Sequence, residues 1–288
     1  MEGVFSKENQ RVYWCNISNS AKSWIVPECA INDNYEPSTK QIKSSVNVHN
    51  WRLECNNVKQ EMHTLHVKKG HVHLDLCCGR GGDIHKFSHN APEMLIGIDV
   101  SPLAIEEAVK RHALKSNLNA RFFVSNLADA STHDAILYKL RKYKFSSVSV
   151  MFAIHYMCES AETFESFISF LQRLNTCDDC VVYGICPDWV TLSSVFRGKA
   201  DAYQPIRECK IRPSNKLPSN MSEDNCFGLK YSFFLNGLVE TRLKQGVDEY
   251  LVYWPVLESK FKKCGWRCEY INRAKCGDGL YVKFCLKR

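Results

Sequence analysis

Short apolar runs alternate with stretches of helical spacing through the middle of the chain. HVHLDL (71–76), MLIGID (94–99), ARFFVSN (120–126), SSVSVMFAIHY (146–156) and CVVYGICP (180–187) read as strands. Between and before them, NWRLECNNVKQEMHTLH (50–66), SPLAIEEAVKRHALKS (101–116) and TFESFISFLQRLN (163–175) carry apolar residues at helical intervals. Ser101 is placed as the N-cap of the second of these, with Pro102 in its first turn. Strands that alternate with helices predict an α/β fold, a doubly wound and mostly parallel sheet. Further on, KYSFFL (230–235) and VETRL (239–243) predict an antiparallel pair. A helix is expected through EYLVYWPVLESKFKKCG (249–265), and a last strand in LYVKFCLK (280–287). Residues 188–228, with Pro205, Pro213 and Pro218, predict an irregular insertion or lid.

The apolar pattern sets residues 1–36 apart from residues 37–288. Arg11 to Pro27 (RVYWCNISNSAKSWIVP) predicts two short aromatic strands around a polar turn. It resembles the second hairpin of a WW domain, with Tyr13, Trp14, Asn16, Ser23, Trp24 and Pro27 at matching spacing, and Gly3-Val4-Phe5 where the first signature Trp would be. Two readings stand open. The aromatics could grip a proline-rich peptide, or could pack on the main domain. Residues 37–50 are polar and read as a linker.

The first strand ends on a turn rich in glycine, DLCCGRGGDIHK, with Asp75 at its start and Gly79, Gly81 and Gly82 within it; a helix-like segment follows. The next strand ends on an acid, Asp99. Strand, glycine turn, helix, strand and acid is how a doubly wound sheet brings backbone N–H groups and a ribose-binding carboxylate to one nucleoside. Glycine allows positive φ and close backbone approach. The spacing is not G-x-G-x-x-G, which favours S-adenosylmethionine (SAM) over a dinucleotide, because SAM has no pyrophosphate to seat at a helix N-terminus. Within the turn, Cys77 carries a side chain, so its φ must be negative or strained.

Composition narrows the setting. Lys and Arg exceed Asp and Glu by 38 to 31, a net charge of +7, a basic bias compatible with an anionic substrate. Fifteen scattered cysteines behind a polar N-terminus read as reduced thiols of an intracellular protein. No C-x-x-C pair is matched by a second at zinc-binding spacing, so no metal is expected, and no apolar run reaches membrane-spanning length.

Four blocks resemble the eukaryotic-type mRNA cap guanine-N7 methyltransferase family. DLCCGRGGDIHKF is similar to that family's D-L-G-C-G-K-G-G-D-L-x-K, and VMFAIHYMCES to its Q-F-x-x-H-Y-x-F-E-S. FGLKYSFFL with VDEYLVYWPVL resembles the late block ending in E-[FY]-L-V-x-[FW], and HNWR the lead-in N-N-W-M-K. The resemblance implies a class I, Rossmann-like methyltransferase with an antiparallel C-terminal addition, SAM as cofactor and 5′-capped RNA as substrate. A nuclear location would follow, or a cytoplasmic one in a viral setting.

Residue by residue, the resemblance implies a SAM site of Arg52, Asp75, Cys77, Gly79, Asp99, Asn126, Asp129, Met151 and Tyr156. Cap contacts would come from His49, Asn50, Arg80, Lys86, Arg111, His155, Glu249 and Tyr281, with Arg80, Lys86 and Arg111 on the triphosphate. His155, Tyr156 and Glu249 would position the guanine without acting as general base, since N7 carries no proton. Met151 stands where the family has Gln, the lead-in lysine falls on Leu53, and the adenine-site Asp falls on Leu127, or on Asp129 with one gap. Taken alone, Glu249 could equally be a first-turn acid of the helix expected after it. A methyltransferase with another acceptor, or an inactive binding subunit of the same fold, are the competing readings.

Overall fold

The computed structural model describes residues 2–6, 11–15, 46–88, 90–115, 118–197, 208–214, 216–236, 239 and 246–288. In chain order the elements begin with strands β1 (Glu2–Ser6) and β2 (Arg11–Cys15) and helix α1 (Val46–His66). The α/β core follows: β3 (Val72–Leu76), β4 (Met94–Asp99), α2 (Pro102–Lys115), β5 (Ala120–Val124), α3 (His133–Leu140), β6 (Phe145–Met151), α4 (Ala161–Arg173) and β7 (Thr176–Pro187). Then come α5 (Trp189–Arg197), β8 (Cys209–Pro213), β9 (Lys230–Leu235), β10 (Val247–Tyr250), α6 (Trp254–Lys263), β11 (Arg267–Arg273) and β12 (Tyr281–Lys287).

The main sheet runs β11-β12-β7-β6-β3-β4-β5 and continues through β1 to β2. Neighbours from β5 to β7 are parallel, whereas β12 is antiparallel to both β7 and β11. The expected fold class is therefore present. Strand order reverses between β3 and β6, which opens a crevice beyond their C-terminal ends. Strands β3 and β6 are buried almost throughout, as a parallel sheet covered on both faces requires. On one face α4 supplies Phe164, Phe167, Ile168 and Leu171, all buried and at helical spacing. Its start is set by a capping box in which Ser160 and Thr163 satisfy each other's backbone N–H groups. Burying each such side chain contributes about 1.5–3 kcal/mol. On the other face lies α1, with Val58, Met62 and Trp51 turned inward.

Several sequence expectations are corrected. The segment after the glycine turn is a five-residue 3₁₀ helix, Ile84–Ser88, instead of an α-helix. The helix expected from residue 249 begins at Trp254, because Val247–Tyr250 pairs with β9 as a strand. The second sheet is three-stranded, β10-β9-β8, so the partner of KYSFFL is VDEY; Val239 makes one isolated bridge to Leu235, and residues 240–245 lie outside the described residues. The stretch 188–228 contains α5 and β8 where irregular structure was expected. Strand β11, with alternating half-buried positions among charges, gave no clear apolar pattern to read.

Arg11–Cys15 pairs antiparallel with the upstream Glu2–Ser6, and Glu2 is in register with Phe123 of β5. The remainder of the WW-like segment, including Asn16, Ser23, Trp24 and Pro27, lies outside the described residues, as does most of the linker. Among the described residues no helix is long and apolar enough to cross a membrane.

Candidate active site

The crevice begins where β3 ends. Cys77 takes φ +56°, a conformation natural to glycine, so the strained alternative expected for this position is the one adopted. Strain of this sort costs about 1–3 kcal/mol and is held by its surroundings. Phe152, the first residue after β6 across the switch point, is also left-handed at φ +54°. Gly79 (φ +53°) faces open space: a Cβ built there would meet nothing within 4 Å. Gly81 has a different reason, since its Cβ would run into Ile84 Cδ1 at 2.4 Å and Ala108 Cβ at 3.1 Å.

Acids line this turn. Asp99 accepts from Gly79 N–H at 2.8 Å and from Ser101 N–H at 2.9 Å; burial still raises its carboxyl above the usual range. Ser101 also caps α2 through its Oγ, which accepts from Ala104 N–H at 3.2 Å, as expected. Asp75 is buried and accepts from Ser149 Oγ at 2.6 Å. Burial, then the nearby Asp83 charge, push its carboxyl up to about 7. Met151 is buried at the end of β6, and Tyr156 stands 39% exposed at the crevice with its ring 4.2 Å from that of His155.

Two cations of α1 lie on one face of the helix, seven residues apart. Arg52 is exposed on α1 and Leu53 is 51% exposed. Lys59, two turns further along, has its Nζ 2.9 Å from Asp83 Oδ2 and 5.3 Å from the centre of the Phe152 ring. At the adenine side, Leu127 is buried in the core and Asn126 is exposed. Asp129 is exposed and caps a short 3₁₀ turn, accepting from Ser131 N–H at 2.9 Å.

Above the crevice, β9 and β10 deliver a second cluster. Glu249 is buried on β10, directly opposite Tyr231 of β9, whose hydroxyl donates to Oε2 at 2.8 Å. A strand position removes the helix-dipole reading of this acid. Burial pushes the Glu249 carboxyl up to about 7, against the Tyr231 hydrogen bond. His155 lies with Nε2 3.6 Å from Glu249 Oε1, and neither ring nitrogen has a hydrogen-bond partner among the described residues. Burial lowers it to about 3, so the imidazole is neutral. Tyr281 is buried, near enough to feel the Glu249 charge, and stands edge-on to Phe152 at 4.9 Å and to Trp51 at 6.0 Å. Tyr231 was not singled out in the sequence; the alternation of KYSFFL against VDEY was the signal that could have found it.

The three cations assigned to a triphosphate separate. Arg80 is half-buried in the glycine turn. Arg111 reaches the same turn, its Nη1 3.8 Å from where a Cβ on Gly82 would sit. Lys86 does not join them: it is 2% exposed, with Nζ 2.9 Å from Asp83 Oδ1. Burial alone would raise Asp83, but Lys59, then His63 and Lys86, outweigh it and hold the carboxyl well below its usual range. The burial of Lys86 thus completes an internal ion cluster. His49 and Asn50 are exposed in the first turns of α1, on the helix that carries Trp51.

The crevice suits a cationic, nucleoside-bearing cofactor. Open space at Gly79, the Asp99 carboxylate beside it and the buried Asp75 supply a cradle, a ribose acceptor and an anionic end. Sheet order and crevice are those of the SAM-dependent methyltransferase fold. An S-adenosylmethionine-dependent methyltransferase from Clostridium acetobutylicum superimposes with a TM-score of 0.53 at 14% identity, covering 86% of this chain and 94% of its own. A putative one from Listeria monocytogenes gives 0.52 at 14%, covering 81% and 98%.

Sequence likeness narrows the class. Residues 32–272 match the family model of the mRNA (guanine-N(7))-methyltransferase domain, and the chain belongs to that family. The mRNA cap guanine-N(7) methyltransferase of Drosophila melanogaster is 28% identical over 211 residues, 67% of this chain and 45% of that protein. The Caenorhabditis elegans enzyme of the same name is 26% identical over 220 residues, 74% and 55%. This chain therefore spans about half the length of these two relatives.

Proposed function

We propose that the chain transfers a methyl group from SAM to N7 of the terminal guanosine of GpppRNA, the methylation step of mRNA cap formation. The observation that carries this reading is the buried pair His155 and Glu249, in which neither imidazole nitrogen has a hydrogen-bond partner among the described residues and the Tyr156 ring lies 4.2 Å from that of His155. Family membership over residues 32–272 supports it.

SAM supplies an electrophilic methyl on a sulfonium. Asp75, the turn at Cys77–Gly79, Asp99, Met151 and Tyr156 would hold it. The chain's remaining task is to aim a nucleophile. Guanine N7 has its lone pair in the ring plane and no proton to lose, so no general base is required. Glu249 accepts from guanine N1–H and N2–H, which sets the ring plane and favours the positive charge that grows on methylation. Tyr231 keeps the carboxylate from turning. His155, neutral, donates or accepts according to its tautomer without competing for the charge. Arg80 and Arg111 meet the triphosphate. Positioning of this kind supplies about 7–11 kcal/mol of a barrier. The N-terminal segment would recruit a proline-rich or capping-apparatus partner, and a nuclear site of action goes with this function.

The test is incubation with methyl-labelled SAM and GpppG-capped RNA, followed by digestion and nucleoside identification. Label in N7-methylguanosine is expected. SAM binding without transfer to the cap would overturn the acceptor, and absence of SAM binding would overturn the enzymatic reading altogether.

A further inference from the structure

Four polar side chains lie in a line inside the molecule. His73 and Asp75 alternate on β3 and so face the same side of the sheet, and their direct partners on β6 are Ser147 and Ser149. Ser149 Oγ donates to Asp75 Oδ1 at 2.6 Å. His73 Nε2 is 3.0 Å from Ser149 Oγ, and His73 Nδ1 is 2.8 Å from Ser147 Oγ. His73, Ser147 and Ser149 have no exposure, and Asp75 has 6%. Donors and acceptors can be assigned from one end. An ionised carboxylate only accepts, so the Ser149 hydrogen is committed to Asp75 and its oxygen takes the hydrogen of His73 Nε2. A neutral imidazole has one N–H, so Nδ1 accepts from Ser147. Burial lowers the His73 pKa well below its usual value, which keeps the ring neutral.

The Tyr183 hydroxyl, 2.8 Å from His63 Nδ1, also hydrogen-bonds with Ser149 and is a second neighbour of this line. His73 faces the rings of Phe87, Tyr183 of β7 and His63 of α1, with His66 further along that helix. Asp75 is faced by Lys59 from α1, by Asp83 from the glycine turn, by Asp99 from β4 and by the neighbouring thiols Cys77 and Cys78. A core built only for packing would place apolar side chains at these positions, because buried polar groups are costly unless every one is satisfied. Here every one is satisfied, and the line ends on the buried carboxylate next to the end of β3.

We propose that His73 is a positioning residue that acts through Ser149 to hold the Asp75 carboxylate in place for the ammonium group of the cofactor's methionine part. The proposal rests on the reading that the crevice binds SAM. A serine hydroxyl alone rotates among three wells, and the imidazole selects the one that points its hydrogen at Asp75.

The test is calorimetric titration of the full chain with S-adenosylhomocysteine, and separately with 5′-methylthioadenosine, which lacks the amino-acid part, between about pH 6 and pH 8.5. Affinity for the homocysteine ligand falls as pH drops, because protonated Asp75 no longer attracts an ammonium. Ser149→Ala removes a donor to the charged form, so Asp75 protonates at higher pH and the fall-off moves up by about one on the pH scale, about tenfold in affinity below it. His73→Phe keeps the ring packing and shifts the fall-off in the same direction. In the double variant His73→Phe adds nothing further, and 5′-methylthioadenosine affinity is unchanged throughout. Equal losses for both ligands, or additive shifts in the double variant, would overturn the relay. Should His73→Phe fail to fold, His73→Asn completes the same cycle. Failure of the unmodified chain to bind either ligand would instead remove the cofactor reading, and the relay with it.

Discussion

His155 Nε2 stands 3.6 Å from Glu249 Oε1, though the histidine follows a strand of the main sheet and the acid sits in the second. The imidazole is neutral, so the two form a polar edge instead of an ion pair. Replacing either with Ala should lower turnover on GpppRNA by about 10²–10³. Affinity for S-adenosylhomocysteine should change little. Single-turnover assays with titration of both ligands check this, and unchanged activity in both variants would sink the assignment.

Glu249 also sets a pH dependence. Its carboxyl titrates near 7, and the ionised form is the one that orients guanine, so cap affinity should rise with pH through about 7 and then level. His155 adds no limb in that range, since it is already neutral. Asp75 titrates nearby, so the profile is best taken with SAM saturating; Glu249→Gln should abolish the remaining rise.

The same burial has a stability sign. A carboxyl whose pKa is raised by folding binds its proton more tightly in the native state. The native state is then penalised as pH rises from the unfolded pKa through about 7. Glu249→Gln should therefore raise stability at pH 8 by a few kcal/mol, on the order of 1.4 kcal/mol for each tenfold gain in proton affinity on folding, and change it little at about pH 4.5. Chemical denaturation at the two pH values reads the difference.

Cys77 holds φ +56° in the turn against the cofactor crevice. Cys77→Gly should relieve about 1–2 kcal/mol of backbone strain, less what the more flexible unfolded chain gains back, and leave SAM affinity equal or better. A melting temperature lowered by the substitution would show that the thiol's packing outweighs the strain.

Lys86 and Arg111 should separate cleanly. Lys86→Met breaks a buried contact to Asp83 and should destabilise by about 3 kcal/mol, softened by the Lys59 contact that remains. Arg111→Met, at a half-exposed side chain, should leave the melting curve in place and weaken binding of a GpppG ligand. A Lys86 variant that is stable yet loses cap affinity would return that lysine to the triphosphate.

The parallel α/β core, the glycine turn and Asp99 were legible along the chain because each is written within a few residues. Strand alternation, capping at Ser101 and the left-handed turn at Gly79 depend on neighbours in sequence. His155 and Glu249 were reached through the family blocks, and their partnership only through the fold. Residues that meet across elements were not legible in this way. Lys59 meets Asp83 because α1 turns that face over the glycine turn. Lys86 turns inward because its segment closes into a 3₁₀ helix beside the same acid. Tyr231 reaches Glu249, and His73 reaches Asp75 through Ser149, because strand registers place them opposite one another. Periodicity assigns a side chain to a face, but pairing between distant strands decides what it meets there, and that long-range register is set by the packing of the whole core.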